Sequence, residues 1–340
     1  MRFTVPTIVL MMAAVLLTGC SLYAKGPDQA ERDRWSGVIE SAIEALPGVA
    51  DASHKFQYHR YGPNSYYVSL LDVQLEDGAT PDEAASVVRT MGAQQFPPHY
   101  RDDSKVLTIN RMTDSYFGSW RNVDLEANAA STWARLSAAK TGAEIHWSAG
   151  GFKPTADADG LTGSISVRAG SESEPHRATA AMRRIIQDFP ELASNNWTVS
   201  PIHSDGLGGN PYSSLAPSLT HMDRRPRFPS SSELELWEWF LTDQPTPFIV
   251  EVSVYDPPDT AGRTLGVAVF PPAGKQFSPA QVTQLADRHL RHLAQPDAVI
   301  DYTIRTRNGP GIAVLVGGCP ESGREISPES EPFVRQYERC

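Results

Sequence analysis

Ser137-Ala138-Ala139-Lys140-Thr141-Gly142 contains both S-x-x-K and K-T-G, spacings that pair a serine nucleophile with a lysine in acyl-transfer chemistry. In that chemistry the serine–lysine pair opens a helix and the K-T-G lies on a distant strand. Here one lysine is shared, and Lys140 cannot stand in both places. Gly142 is also placed where a helix stops, so the stretch predicts a helix end. His289-x-x-His292 sets two imidazoles on one side of a helix, a spacing that suits a metal. No third ligand stands at a telling distance, and His289 falls on an apolar stripe, which predicts a core histidine with a local hydrogen bond. Gly206-Leu207-Gly208-Gly209 lacks the strand, the helix and the Gly-Lys-Ser/Thr of a phosphate loop. The acidic pairs Asp102-Asp103 and Asp157…Asp159 are expected in solvated turns. No catalytic residue, metal ligand or cofactor site is assigned.

The cysteines carry more. The chain holds three, at 20, 319 and 340. Val5 to Leu17 is apolar apart from Thr7 and follows Arg2. At about 13 residues it is shorter than the roughly 20 that cross a membrane and fits the apolar region of a secretory signal. Leu17-Thr18-Gly19-Cys20 then resembles the lipobox of bacterial lipoproteins: an aliphatic residue, two small ones, and a cysteine. The resemblance implies cleavage before Cys20, lipidation of its thiol, and a protein anchored at the extracytoplasmic face of the cell membrane rather than spanning it. Cys319 and Cys340 are left over. In an exported chain an even remainder suggests a disulfide, which would close a loop of about 20 residues and contribute roughly 3 kcal/mol; the alternative is two free thiols.

The formal charge is −10, and loss of Arg2 with the signal makes the mature chain more negative. Bulk charge therefore argues against nucleic acid or an anionic lipid surface as partner. Arginine far outnumbers lysine, a bias of GC-rich genomes that points to an actinobacterial source.

The elements that would position these groups repeat. Thr80-Pro81, Glu174-Pro175 and Ser278-Pro279 each offer proline at a helix start, where its missing N–H costs nothing, and Thr80 and Ser278 are good N-caps. Each proline is followed by one in-phase apolar stripe: Ala84, Val87, Val88, Met91; Ala178, Ala181, Met182, Ile185; Val282, Leu285, Ala286, His289. A little over 40 residues before each proline stands a tryptophan, Trp35, Trp133 or Trp237, followed three residues later by Val38, Leu136 or Phe240. These predict first helices over roughly 31–46, 126–141 and 231–242, with the tryptophans as core anchors rather than sugar or lipid platforms. Paired extended runs lie between the helices (56–61 and 66–75; 143–148 and 161–167; 248–255 and 264–270). A further strand follows each second helix (106–109, 196–199, 300–304).

The fold class expected is α+β: three tandem α-β-β-α-β repeats, each a small sheet covered on one face by two helices. The order is similar to the BON modules of bacterial envelopes and to most of a ferredoxin-like fold. Leu46-Pro47-Gly48-Val49 fits the BON style, but apart from Gly163 the usual hairpin glycines are missing. A ferredoxin-like unit needs one more strand per copy, for which 121–125 and 312–316 are candidates. The boundaries expected are 1–19 signal peptide, 20–30 lipidated tether, 31–112 and 113–201 the first two repeats, 202–229 a Gly/Pro/Ser-rich linker or binding loop, and 230–340 the third repeat with a polar tail. The anchor and the lack of a reactive constellation predict a non-enzymatic binding or assembly module of the envelope. The alternatives are a carrier of a lipid or other hydrophobic ligand and an envelope hydrolase.

Overall fold

A computed structural model describes residues 28–59, 66–95, 105–119, 122–139, 141–149, 163–170, 174, 176–202, 217–221, 227–255, 263–272, 274–294, 298–306, 309–319 and 324–339. Seven α-helices and twelve strands occur among them. The helices are α1 Gln29–Glu44, α2 Pro81–Ala93, α3 Val123–Ala138, α4 His176–Asp188, α5 Ser231–Thr242, α6 Pro279–Leu293 and α7 Glu331–Tyr337. The strands are β1 Val49–His59, β2 Tyr66–Leu75, β3 Lys105–Arg111, β4 Asp114–Ser119, β5 Glu144–Ala149 and β6 Gly163–Arg168, then β7 Asn196–Ser200, β8 Ser218–His221, β9 Ile249–Val254, β10 Leu265–Phe270, β11 Ile300–Thr306 and β12 Gly309–Val316.

The expected helix starts form as capping chemistry dictates. Thr80 and Ser278 each accept the third helical N–H while Glu83 and Gln281 reach back to the cap, with proline at the first turn. Ser230 and Glu233 make the same box at α5.

The α+β class holds, but the sheet differs from three small ones. All twelve strands form one sheet in chain order, β1 to β12. Hairpin pairs are antiparallel, and the strands joined through α2 to α6 are parallel. Two strands in the middle were not foreseen. β4 occupies 114–119, whereas 121–125, the expected site of an extra strand, runs into the start of α3. β8 lies inside the expected linker 202–229 and pairs with β7 and β9. The candidate at 312–316 does form the end strand β12.

Alternation along each strand gives the sheet two different faces. On one, in-register neighbours form a buried file: Ile109, Tyr116, Trp147, Ile165 and Trp197, continued one step along by Val199, Leu219, Val252, Val267, Tyr302 and Val314. The helices cover this face. α2 and α3 approach closely at Gly92, where an added Cβ would lie 2.6 Å from a Val123 methyl carbon. Glu238 on α5 accepts from Thr179 on α4 at 3.1 Å, and Trp239 and Phe240 on α5 pack on His289 of α6. Trp133 and Trp237 are fully buried with Leu136 and Phe240. The first copy departs from this pattern. Trp35 is only partly buried and Val38 is 50% exposed, with Ile39 and Ile43 buried instead, because α1 covers the end of the sheet and has a helix neighbour on one side only.

Parallel pairs point alternately up and down along the sheet while the helices stay on one face. The α2, α4 and α6 connections therefore share one hand and α3 and α5 the other, although right-handed connections dominate in proteins. Both sheet edges are guarded. At β1 the outward His54 N–H donates to Oε1 of Glu40 on α1 at 2.7 Å, so a helix side chain covers that edge group. At β12 the C-terminal segment does this work.

Candidate functional site

The second face of the sheet is polar. One row of in-register residues crosses from β4 to β11: Ser115, His146, Ser166, Thr198, Thr220, Ser253, Gly266 and Asp301. Strands lie about 4.8 Å apart, so the row extends about 34 Å. Its members are partly exposed, and among the described residues no helix packs on this face. Ser148, Ser164 and Asn196 form the next row, and Glu144 faces Arg168 across β5 and β6.

The most reactive group in this row is at its β4 end. Ser115 Oγ and His146 Nδ1 lie 2.7 Å apart, and Glu144 Oε2 stands 3.8 Å from His146 Nε2. Burial, aided by the Arg168 charge, pushes the His146 imidazole down to about 4. Burial raises the Glu144 carboxyl, with Arg168 opposing and Asp114 adding. A general base works best with a pKa near the operating pH. At neutral pH His146 is an uncharged, weakly basic ring, and Glu144 is beyond hydrogen-bond distance of it. His146 Nε2 is itself buried without a hydrogen-bond partner, so the groups of this row open to a polar ligand are its hydroxyls. No short motif joins Ser115 to His146, since the pair exists only through the β4–β5 register.

The motif residues have structural work. Ser137 donates to the Asp114 carboxylate, whose other oxygen accepts the Ile145 N–H at 2.7 Å. Burial raises the Asp114 carboxyl, while these two bonds and Arg111 hold it down. Ser137 thus ties the end of α3 to the starts of β4 and β5, and Gly142 turns the chain at φ 76°; Lys140 lies outside the described residues. Ser137→Ala is expected to cost about 1–2 kcal/mol, the loss of one bond to a buried carboxylate. Urea denaturation would check this, and an unchanged midpoint would remove the role assigned to Ser137.

His289 is a core histidine. It is fully buried, its Nδ1 lies 2.7 Å from Tyr302 Oη, and Trp239, Phe240 and Phe248 surround it edge-on. His292 stacks on Trp239 at 3.8 Å. Among the described residues no three His, Cys, Asp or Glu side chains group as metal ligands. His54, which no motif marked, is buried between Ser36 and Ser69, with its ring nitrogens 2.9 and 2.8 Å from their hydroxyls.

Cys20, Cys340, the glycine run 206–209 and the acidic pairs at 102–103 and 157–159 lie outside the described residues. Cys319 is disulfide-bonded and exposed. Beside it the chain comes back on itself: Gly317 N–H donates to Tyr337 O and Arg339 N–H to Gly318 O, both at 3.0 Å. No helix among the described residues is long and apolar enough to cross a membrane. Compared with protein-family models, with curated proteins and with solved structures, the chain matches none of them.

Proposed function

We propose that this chain is an exported bacterial lipoprotein, held at the extracytoplasmic face of the cell membrane by a lipid on Cys20, and that it works as a non-enzymatic binding or assembly module of the envelope. The observation that carries the reading is the one-sided sheet: helices bury one face, and the other presents a polar row about 34 Å long at strand spacing. Such a surface offers hydroxyl and amide groups to an extended polar ligand or protein. The weakly basic His146 and its gap to Glu144 favour this over a hydrolase.

The chain is further proposed to be three α-β-β-α-β units, each completed by a fourth strand. The alternating hand of the connections supports this: a two-helix, four-strand unit can be repeated by translation along the sheet, whereas a one-helix, two-strand unit cannot. The matching burial of Trp133 and Trp237 supports it as well.

Native mass spectrometry of the full protein taken from its own membrane tests the function. The expected mass is that of a chain starting at Cys20, plus an acyl-glycerol adduct and less two hydrogens for a disulfide, with no further ligand. A co-purifying lipid or metabolite would favour the carrier. A chain retaining residues 1–19 without lipid would overturn the anchor.

A further inference from the structure

The last strand is an edge that the chain covers with its own tail. β12 reads Gly309-Pro310-Gly311-Ile312-Ala313-Val314-Leu315-Val316. After Gly309-Pro310-Gly311, the run Ile312–Val316 has no charge, no proline or glycine, and is apolar on both faces, which suits pairing with another strand. The outward N–H groups of Ala313 and Leu315, and that of Gly317 just beyond the strand, are taken by the segment 324–339. Ala313 N–H donates to Ser330 Oγ at 3.1 Å and Leu315 N–H to Glu338 Oε1 at 2.9 Å. Gly317 N–H donates to Tyr337 O at 3.0 Å. Arg324 pairs with Glu338 at 2.5 Å, leaving that carboxylate side chain 4% exposed. Phe333 and Tyr337 are buried where α7 meets α6 and β12. This is a strap, and it holds few apolar residues of its own. A covalent link also holds it: Cys319 is disulfide-bonded, Arg339 N–H donates to Gly318 O, and with Cys20 lipidated as proposed Cys340 is the one cysteine left to pair with Cys319. Cys319 is also exposed, and exposed disulfides are the ones that exchange readily.

We propose that the C-terminal strap is a redox-released cover, and that the β12 edge beneath it pairs with β12 of a second copy of this chain. The step needs a dithiol. One of its thiolates attacks a sulfur of the Cys319–Cys340 disulfide and forms a mixed disulfide. Its second thiol resolves that bond. Two electrons and two protons pass to Cys319 and Cys340 as thiols, and the dithiol leaves oxidised. The freed strap loses the link that closed its loop and bares the N–H groups of Ala313, Leu315 and Gly317. Antiparallel pairing about Val314 then sets Ala313 of each copy opposite Leu315 of the other, with hydrogen bonds exchanged between them. Apolar side chains meet on both faces, and no charge opposes the contact. The inference is independent of the polar face and rests on the proposed lipidation of Cys20, which leaves Cys340 as the partner of Cys319.

The test uses the full chain in detergent, with dithiothreitol as the dithiol and sedimentation velocity as the readout. The oxidised protein is expected to be a monomer and the reduced protein a dimer, with hydrogen exchange at Ala313 and Leu315 at least tenfold faster in a reduced sample diluted to monomer. Cys340→Ser is expected to dimerise without reductant. Ala313→Lys puts a charge on the edge, a standard block to strand pairing; it is expected to stay monomeric after reduction with its circular dichroism unchanged. A reduced protein that stays monomeric overturns the proposal, whether or not the strap has left. So does a dimer that survives Ala313→Lys, since the contact would then lie elsewhere.

Discussion

On lowering the pH from 7.5 to 4, the protein is expected to lose about 6 kcal/mol of stability through His54 and His289. Burial pushes each imidazole down to about 4 from the ordinary 6.5. A depressed folded pKa means that the native ring stays neutral while the unfolded chain takes up a proton below pH 6.5. The contribution is therefore complete above pH 6.5, falls as the pH drops, and is gone near pH 4, at about 1.4 kcal/mol per unit and so about 3 kcal/mol per ring. Around His289, the Asp243 carboxylate opposes the shift and Arg288 and His292 reinforce it. Asp114, Glu144 and Glu251 have raised carboxyl pKa values. Their sign is opposite, since they favour the fold as the pH falls, but they are less buried. His146, also pushed down to about 4 by burial, and Glu233, held down by Arg227 and Ser230 against its burial, add to the acid loss. A total of about 6 kcal/mol is comparable with the whole stability of many domains, so unfolding between pH 6.5 and 4 is expected. Urea midpoints at pH 7.5, 6, 5 and 4.5 would measure it. His289→Gln keeps a partner for the Tyr302 hydroxyl and should flatten the pH dependence by about 3 kcal/mol, the share of one ring. A midpoint unchanged between pH 7.5 and 4.5 would refute the assignment.

The second large effect is at Trp133, whose replacement by alanine is expected to cost about 3–5 kcal/mol. Its indole is fully buried, tilted against Tyr116 with centroids 6.1 Å apart, and donates from Nε1 to Ile145 O at 3.4 Å. Truncation leaves a cavity between α3, β4 and β5 and removes that bond. Trp237→Ala should behave alike. Trp35→Ala should cost under about 2 kcal/mol, because Trp35 is only partly buried at the end of the sheet. Denaturant unfolding of the three variants tests both the core role and the unequal positions of the three tryptophans. A loss below about 1 kcal/mol for Trp133→Ala would sink the reading.

The polar row could have been suspected in part. Residues 144–149 and 196–200 alternate polar and apolar, so a solvated face was legible for each strand taken alone. Ser115 was not, because β4 is short and its inward residues include Asp114 and Gly118, which break the apolar pattern. β8 hides for a similar reason: of Ser218, Leu219 and Thr220 only Leu219 is buried, and its neighbours are loop-forming residues. His289 was legible as core because its stripe named its face. The partnership with Tyr302 was not, since it needs α6 docked on β11.

The sequence by itself determined what is local. Helix starts at Thr80, Ser230 and Ser278 follow from capping groups three residues away, and period-2 alternation assigns each long strand a buried face. The tertiary structure alone decided what depends on non-local pairing. One twelve-stranded sheet forms where three small ones were expected, Ser115 lies beside His146, and the tail lies along β12. The physical reason is that a strand's own residues set which way its side chains point. Which strand it pairs with depends on edge hydrogen bonds that any extended backbone can offer.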